Sequence, residues 1–348
     1  MRPTRVLIVD DSAVVRKMLA DSMRGERDLD VVGTAADPFI ARDLILQHEP
    51  DVVTLDIEMP RMDGLTFLRR LMEHHPLPVI VVSSVTRTGS AASVEALRAG
   101  AIDVIPKPGG PYSVTQVAER LKERIRSVRR DRFQFAPRGP LPAARIVDAA
   151  ALSGRRGLLV IGASTGGTQA TEALLTRLPA DCPPILIVQH MPAHFTRAYA
   201  ERLDTVCPMR VAEAGDGDRP QRGVALIAPG DHHMVVEALG LQLRVTIRQG
   251  PAVHHQRPAV DVLFHSAARL RMMPIVACLL TGMGADGAEG MVALRDAGAE
   301  TIAEDEHSCV VFGMPREAIR RGGATHVASL LDMPQTIADC FGRLQRAA

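Results

Sequence analysis

The sequence predicts an α/β protein made of two doubly wound parallel-sheet domains. A chain of 348 residues exceeds one ordinary hydrophobic core and suits two domains. Short unbroken runs of Val, Ile and Leu alternate with helical patterns, which is typical of strands buried on both faces of a parallel sheet. A proline-rich stretch without periodicity, residues 135–144, interrupts this alternation and indicates a linker. We therefore predict a first domain at 4–126, a linker at 127–154 and a second domain at 155–348.

Composition excludes several classes of protein, since 46% hydrophobic and 23% charged residues are the mix of an ordinary globular chain. The 41 Lys and Arg residues nearly balance the 40 Asp and Glu residues, whereas proteins that coat nucleic acid carry a large basic excess. No apolar run approaches the roughly 18 residues of a membrane helix. The five cysteines show no CxxC spacing, which favours free thiols in a reducing compartment. We expect a cytoplasmic protein without a nucleic-acid partner and without membrane insertion.

The elements of the first domain follow from its apolar periodicity. Four short apolar runs predict strands at Val6–Val9, Val52–Leu55, Val79–Val82 and Asp103–Ile105. Amphipathic stretches predict helices at Ala13–Met23, Pro38–Gln47, Leu65–His74, Ser90–Ala99 and Ser113–Arg130. The last helix ends in several arginines with acidic residues between them, so we interpret it as a solvated face rather than a nucleic-acid arm.

Polar side chains stand at the carboxyl ends of these strands, where open α/β sheets place their sites. Asp10 and Asp11 follow the first strand, Asp56 the second, Ser83 the third and Lys107 the last. Converging carboxylates repel one another, and Mg²⁺ relieves this repulsion while leaving room for a phosphoryl group. Such a site favours Asp56 as a nucleophile toward phosphate, with Ser83 and Lys107 holding the phosphoryl oxygens. The alternative is that each acidic residue merely caps a helix.

Together with Met59-Pro60-x-x-Asp63-Gly64, this pattern resembles the flavodoxin-like receiver domain of two-component response regulators over about residues 4–125. The resemblance implies that Asp56 is the phosphoacceptor and that Ser83 and Lys107 are switch residues. The magnesium ligands that it implies are Asp10, Asp11, Asp56 and the backbone carbonyl of Glu58. One departure from the family is Val104, which stands where many receivers carry an aromatic switch residue.

The second domain repeats the α/β pattern with a sheet of its own. Apolar runs predict strands at Leu158–Ile161, Ile185–Val188, Val224–Ile227, Leu243–Ile247 and Ile275–Leu280. Helical stretches follow Gly167, His194, Val260 and Gly287. The alternation again predicts a parallel sheet covered by helices.

The segment Gly162-x-Ser164-x-Gly166 follows the first strand of this domain and fits a nucleophile elbow, in which small neighbours permit a tight turn that exposes the hydroxyl. Glycine-rich turns from strand to helix also bind phosphates or dinucleotides. A dinucleotide site would place an acidic residue at the end of the next strand, and that position here is His190. His190 is therefore a candidate general base, with a structural, hydrogen-bonded histidine as the alternative.

A candidate for the third residue of a catalytic triad, beside Ser164 and His190, follows the last predicted strand in the segment Thr281-Gly-Met-Gly-Ala-Asp286. Its glycines can turn backbone N–H groups toward an oxyanion, and Asp286 can orient the imidazole. Three other carboxylates remain rivals for that role: Asp231, Asp261 and Asp305. The chain order Ser, His, Asp differs from the Ser, Asp, His order of the common α/β-hydrolases. We expect no metal site at His254-His255, because adjacent residues project in different directions and no carboxylate is suitably spaced.

The chain resembles the CheB family of chemotaxis protein-glutamate methylesterases over nearly its whole length. A receiver and a linker precede the motifs Gly-Ala-Ser-Thr-Gly-Gly, Gln-His-Met-Pro, Leu-Thr-Gly-Met-Gly-x-Asp-Gly and Val-Val-Phe-Gly-Met-Pro. The resemblance implies a Rossmann-like serine esterase domain with a triad of Ser164, His190 and Asp286, and with the backbone N–H of Met283 in the oxyanion hole. It implies hydrolysis of glutamyl methyl esters on chemotaxis receptors, and the same machinery can deamidate glutamines.

The resemblance also implies partners and regulation. A chemotaxis histidine kinase would phosphorylate Asp56 with the help of Mg²⁺, and phosphorylation would relieve a block of the esterase by the receiver. The esterase chemistry itself would need no cofactor, and methyl-accepting chemotaxis receptors would be its substrates. A DNA-binding regulator would instead need a helix-turn-helix and a basic face, which the second half lacks. A non-catalytic protein-interaction module remains the alternative, since it would carry the same residues.

Overall fold

The computed structural model describes residues 2–59, 62–84, 86–108, 113–128, 152, 154–240, 242–270 and 273–347. The chain divides into two compact units, Met1–Pro137 and Arg138–Ala348, each with its own sheet. The predicted linker lies almost entirely outside the described residues, as does the Arg129–Arg130 end of the helix before it. Within the described ranges, no helix combines the length and the apolar character needed to cross a bilayer.

The first unit contains five parallel strands in the order β2-β1-β3-β4-β5. The strands are β1 (Thr4–Val9), β2 (Leu29–Ala35), β3 (Val52–Leu55), β4 (Val79–Ser83) and β5 (Asp103–Pro106). The helices are α1 (Ala13–Met23), α2 (Pro38–His48), α3 (Gly64–His74), α4 (Arg87–Ala99) and α5 (Val114–Ser127). Apolar periodicity misses β2, because only its two end residues are buried.

Side chains just before the helices of this unit fix where the helices begin. Ser12 accepts a hydrogen bond from the backbone of the first turn of α1, and Asp63 does the same for α3. Asp11 and Asp56 precede the same two helices and do not cap them. Helix capping therefore leaves the carboxylates at these strand ends unexplained.

The second unit contains seven parallel strands in the order β14-β13-β12-β6-β7-β9-β8, and a separate antiparallel hairpin of β10 and β11. The strands are β6 (Leu158–Ala163), β7 (Ile185–Gln189), β8 (Arg210–Glu213), β9 (Val224–Ile227), β10 (His233–Leu239), β11 (Gln242–Arg248), β12 (Ile275–Leu279), β13 (Glu300–Glu304) and β14 (His326–Ala328). The helices are α6 (Gly167–Leu175), α7 (Phe195–Asp204), α8 (Val260–Ala267), α9 (Ala288–Asp296), α10 (Met314–Arg320) and α11 (Met333–Ala347).

Burial explains which strands of the second unit the sequence predicts. Every residue of β6, β7 and β12 is buried, as their unbroken apolar runs indicate. The predicted strand Leu243–Ile247 belongs to the hairpin and not to the parallel sheet. Its burial is partial, which is typical of an antiparallel pair with one face on the core. Polar residues interrupt β13, so its apolar run is too short to be recognised.

Both sheets contain a point where successive crossovers leave in opposite directions. In the first sheet this point lies between β1 and β3, and in the second between β12 and β6. Loops diverge from such a point at the carboxyl edge and leave a crevice, where open α/β sheets bind ligands. Asp10 and Asp56 flank the first crevice, and Ser164 and Asp286 flank the second.

Candidate active site

The acidic residues of the first unit form a cluster at the edge of its sheet. Ligand oxygens of Asp10, Asp11 and Asp56 all lie within 4.8 Å of one another. Lys107 Nζ lies 2.7 Å from Asp56 Oδ2 and 3.3 Å from Asp10 Oδ2. Burial raises the pKa of Asp56 to about 6 in spite of the hydrogen bond from Lys107, and burial also raises the pKa of Asp10. The single ammonium group of Lys107 therefore does not fully offset the cost of burying the negative charges of Asp10 and Asp56.

This cluster fits a divalent cation. Its donors are carboxylate oxygens, the hard ligands that Mg²⁺ prefers in proteins. Asp10 Oδ2 is buried without a hydrogen-bond partner among the described residues, and the ion pair with Lys107 is its nearest compensation. The Glu58 N–H donates to Asp56 Oδ1 at 3.1 Å, which places the Glu58 backbone beside the cluster. The residues that would hold the ion are Asp10, Asp11, Asp56 and the carbonyl of Glu58.

The residues predicted to switch lie on neighbouring strand ends. Ser83 is buried at the end of β4, and its carbonyl accepts the Lys107 N–H at 2.7 Å. The Ser83 hydroxyl donates to the Gly89 carbonyl at 3.4 Å. Val104 is buried within β5. Lys107 thus contacts the acidic cluster, whereas the hydroxyl of Ser83, at the end of the neighbouring strand β4, is directed to Gly89.

In the second unit the structure brings His190 and Asp286 together. His190 Nε2 lies 2.7 Å from Asp286 Oδ2, and both side chains are only 2% exposed. An ionised carboxylate can only accept a hydrogen bond, so Nε2 carries the proton and Nδ1 keeps a lone pair. Nδ1 is buried and has no hydrogen-bond partner among the described residues. His190 therefore offers an unpaired acceptor nitrogen, which is what a general base requires.

The three rival carboxylates have other partners. Asp231 forms an ion pair with Arg257, and Asp305 accepts hydrogen bonds at the turn after β13. Asp261 Oδ2 lies 3.0 Å from His254 Nε2. The expectation that no carboxylate is suitably spaced for His254 is thus wrong, because a tight turn folds this segment back on itself.

Asp286 is held by the first turn of α8. Its Oδ2 accepts the Val260 N–H at 2.7 Å, and its Oδ1 accepts the Asp261 N–H at 2.9 Å. The amino-terminal end of a helix also favours negative charge. Burial opposes ionisation of Asp286, but the hydrogen bonds from His190 and from the two backbone N–H groups outweigh it and lower the pKa. The carboxylate is therefore ionised and fixed in orientation.

Ser164 lies at the turn between β6 and α6. Gly166, the residue just before α6, has a φ of 76°, and a Cβ there would lie 2.5 Å from Val310 Cβ, so the turn requires glycine. The His190 N–H donates to the Ala163 carbonyl at 3.0 Å. This bond sets the strand end that carries His190 directly beside the one that carries Ser164.

The loop after β12 packs against the serine. The Ser164 N–H donates to the Thr281 carbonyl at 3.0 Å. A Cβ on Gly282 would lie 2.7 Å from Ser164 Cβ, so only glycine permits this approach. Met283 follows in the same loop and is half-buried. The loop that carries the predicted oxyanion donor, the Met283 N–H, thus packs against the serine turn at the preceding residue, Gly282.

Two further residues beside this turn are not among those predicted from the sequence. Gln189 Nε2 donates to the Ser164 carbonyl at 2.8 Å, and Glu304 Oε2 accepts the Thr281 N–H at 2.8 Å. Both end a strand at the carboxyl edge, which is the rule that selected Asp10. Glu304 was not predicted because the apolar pattern does not identify β13 as a strand.

Comparisons with known proteins agree across both units. The family model CheB methylesterase matches residues 159–337, and the model Response regulator receiver domain matches residues 6–119. A protein-glutamate methylesterase/protein-glutamine glutaminase 2 from Syntrophus aciditrophicus is 48% identical over 332 residues, covering 95% of this chain and 97% of the relative. The protein-glutamate methylesterase/protein-glutamine glutaminase of Escherichia coli (strain K12) is 48% identical over 337 residues, covering 96% of each.

A solved structure extends the comparison to the fold of the second unit. The CheB methylesterase catalytic domain of Thermotoga maritima is 38% identical, with a TM-score of 0.51, and the match covers 52% of this chain and 97% of that one. The chain therefore belongs to the CheB methylesterase family, and a response regulator receiver domain precedes its methylesterase domain.

Proposed function

We propose that this chain is a phosphorylation-activated protein-glutamate methylesterase whose nucleophile, general base and orienting acid are Ser164, His190 and Asp286. The observation that carries the assignment is the 2.7 Å contact between His190 Nε2 and Asp286 Oδ2, which leaves the buried Nδ1 as an acceptor beside the serine turn. The relatives named above supply the reaction class, hydrolysis of glutamyl methyl esters and of glutamine amides.

In the proposed reaction, Ser164 Oγ attacks the ester carbonyl carbon while His190 Nδ1 takes the hydroxyl proton. The Met283 N–H donates to the oxyanion that forms. The bond to the methoxy oxygen then breaks, and methanol leaves with the proton from His190. Water attacks the acyl-enzyme, His190 takes its proton and returns it to Ser164, and glutamate is released. With a glutamine substrate, ammonia is the leaving group.

Asp286 has a supporting role in this scheme. Its negative charge stabilises the imidazolium that His190 becomes after proton transfer. The two backbone N–H groups from α8 hold the carboxylate at the angle that fixes the tautomer of the ring. Because the site is buried, these electrostatic interactions are stronger than they would be in water.

We assign the receiver to 4–126, the linker to 127–154 and the methylesterase domain to 155–348. In the receiver, Asp56 accepts a phosphoryl group from a chemotaxis histidine kinase, forming an acyl phosphate as the phosphorus–nitrogen bond of the donor breaks. Mg²⁺, when bound, neutralises charge on the transferring group. Lys107, 2.7 Å from Asp56, and the hydroxyl of Ser83 then bind phosphoryl oxygens.

The proposed substrates are methyl-accepting chemotaxis receptors, acted on in the cytoplasm. The five cysteines are all free thiols, which suits a reducing compartment. Phosphorylation of Asp56 raises the esterase activity by relieving inhibition by the receiver.

Methanol release from receptor fragments that carry glutamyl methyl esters tests this function, with and without acetyl phosphate and Mg²⁺. A serine-directed fluorophosphonate gives a second measurement. The expected result is methanol release and labelling of the wild type, with both lost in Ser164→Ala. A wild-type protein that neither releases methanol nor reacts with the fluorophosphonate would be a non-catalytic interaction module.

A further inference from the structure

Glu304 is a fully buried carboxyl group that the proposed reaction leaves without a role. It is the last residue of β13, and its exposure is 0%. Oε2 accepts the Thr281 N–H at 2.8 Å, whereas Oε1 is buried without a hydrogen-bond partner among the described residues. The titratable groups that face it are Asp305 and Cys309, and neither supplies a positive charge. Burial of a carboxyl with so little compensation is costly, so its presence at the edge of the site needs a reason.

Thr281 connects Glu304 to the serine turn. The Thr281 carbonyl accepts the Ser164 N–H at 3.0 Å. The Thr281 hydroxyl donates to the Thr165 carbonyl at 3.0 Å and accepts the Val311 N–H at 2.9 Å. Every polar atom of Thr281 is thus bound, and the Glu304 carboxyl holds the one N–H donor of its backbone. Loss of that acceptor would leave a buried donor unsatisfied.

Thr281 also begins the loop that carries the rest of the proposed machinery. Met283 is two residues further on, and Asp286 is five residues further on. The position of Thr281 therefore sets the distance between the nucleophile and both of these groups.

We infer that Glu304 is a positioning residue for acyl transfer: by holding the Thr281 N–H, it fixes the loop after β12 against the Ser164 turn. The inference rests on the proposed esterase function. Glu304 touches neither the substrate nor the reacting atoms in this scheme, and it acts through Thr281.

The ionisation of Glu304 offers a signature that a purely structural residue would not give. Burial raises its pKa to about 7, opposed by the Thr281 N–H and, to a lesser extent, by the Ser308 hydroxyl and the Cys309 thiol. The unpaired Oε1 is the oxygen where a proton fits, so Oε2 accepts the Thr281 N–H in both charge states. The anionic form accepts a stronger, charge-assisted hydrogen bond from the Thr281 N–H than the neutral form does, so Glu304 holds the loop more firmly as the pH rises through neutrality.

Three variants of the full-length protein, assayed with acetyl phosphate and Mg²⁺, test this inference. Glu304→Gln keeps an acceptor oxygen and removes the charge, whereas Glu304→Ala removes both. Glu300→Gln is the matched control, because Glu300 lies at the other end of β13 and pairs with Arg343 and His326. Methanol release gives kcat and KM between pH 5.5 and pH 8.5, and fluorophosphonate labelling reports the reactivity of Ser164.

Glu304→Ala is expected to lose about 100-fold in kcat with KM unchanged, since a misplaced catalytic group costs this much. Glu304→Gln and Glu300→Gln are expected to stay close to the wild type in kcat at pH 6. The wild-type to Glu304→Gln ratio of kcat/KM is expected to rise between pH 6 and pH 8, because only the wild type gains the anionic acceptor, while the ratio to Glu300→Gln stays constant.

The inference is overturned if Glu304→Ala keeps its kcat and its labelling rate, or if Glu304→Gln loses as much kcat as Glu304→Ala. If Glu304→Ala does not fold, the pH series of Glu304→Gln decides, and a constant ratio to the wild type overturns the inference. A wild-type protein that is not labelled at Ser164 would instead refute the proposed function, so the two failures are distinguishable.

Discussion

His190 Nε2 lies 2.7 Å from Asp286 Oδ2, so the carboxylate binds Nε2, the ring nitrogen that faces the serine in the best-known serine proteases. In the best-known serine triad the carboxylate holds Nδ1, and Nε2 is the base. In the triad proposed here the two ring nitrogens exchange roles: Nε2 binds the carboxylate, and Nδ1 is the base. The exchange is chemically neutral, because a neutral imidazole carries one donor and one acceptor whichever nitrogen is protonated.

Replacing the proposed nucleophile tests the first step of the reaction. We expect Ser164→Ala to reduce kcat for methanol release about a million-fold, since loss of a serine nucleophile costs this much in a comparable triad. Ser329→Ala, which alters a surface hydroxyl paired with Asp332, should leave the rate unchanged. Appreciable methanol release by folded Ser164→Ala would exclude Ser164 as the nucleophile.

Replacing a carboxylate by its amide distinguishes Asp286 from Asp231, one of the other acidic residues considered as the partner of His190. We expect Asp286→Asn to reduce kcat about 10⁴-fold, because the amide no longer enforces the proton on Nε2. Asp231→Asn should leave kcat unchanged, since it only weakens the ion pair with Arg257. Steady-state methanol release provides the comparison. Equal rates for the two variants would remove Asp286 from the proposed triad.

Glu304 is expected to make the stability of the fold depend on pH. Its pKa is raised to about 7 in the folded protein from 4.5, so the folded state binds this proton more tightly than the unfolded state. Its contribution is full below pH 4.5 and is lost as the pH rises toward 7. Between pH 5 and pH 8 the free energy of unfolding of the wild type should fall by about 2 kcal/mol more than that of Glu304→Gln.

Urea unfolding at the two pH values measures this difference. Glu300→Gln should follow the wild type more closely than Glu304→Gln does, because the pKa of Glu300 is lowered by its partners in spite of burial. Parallel curves for the wild type and Glu304→Gln would show that Glu304 has no raised pKa in the folded protein.

Removing the phosphoacceptor or the metal should affect activation and not the esterase reaction. We expect acetyl phosphate to stimulate the wild type but not Asp56→Asn, with equal unstimulated rates. EDTA should abolish the stimulation of the wild type in the same way, because the acidic cluster fits Mg²⁺. Asp63→Asn keeps a side chain able to cap α3 and should still be stimulated. Stimulation of Asp56→Asn would refute the assignment of the phosphoacceptor.

The strand-end rule explains why much of the candidate site was visible in the sequence. Asp10, Asp56, Ser164 and His190 each stand just beyond the carboxyl end of a mostly apolar strand, and parallel strands bring these ends to one edge. The chain position of a polar residue relative to such a strand therefore predicts its place in the sheet. The same reasoning predicts both sheets, because strands buried on both faces have few polar residues.

Other features of the fold and the candidate site depend on contacts between residues that are distant in the chain, and the local sequence pattern does not predict them. Asp286 was the predicted partner of His190 and Asp261 was one of its rivals, and the contacts that separate the two are made between folded loops. The strand β13 contains Thr301 and ends in Glu304, whose burial depends on neighbours that the local sequence does not show. Leu243–Ile247 was placed in the wrong sheet because a short apolar run does not reveal the direction of its partner strand.

The two bonds that hold Asp286 come from the main chain of α8, at Val260 and Asp261. Any amino acid other than proline supplies the same N–H, so side chains at these positions can diverge without releasing the carboxylate. Comparing the amino acids at these two positions between related sequences would therefore not reveal that they hold Asp286. The support of Asp286 depends on the course of the backbone, and a proline at Val260 or Asp261 would remove one of its two N–H donors.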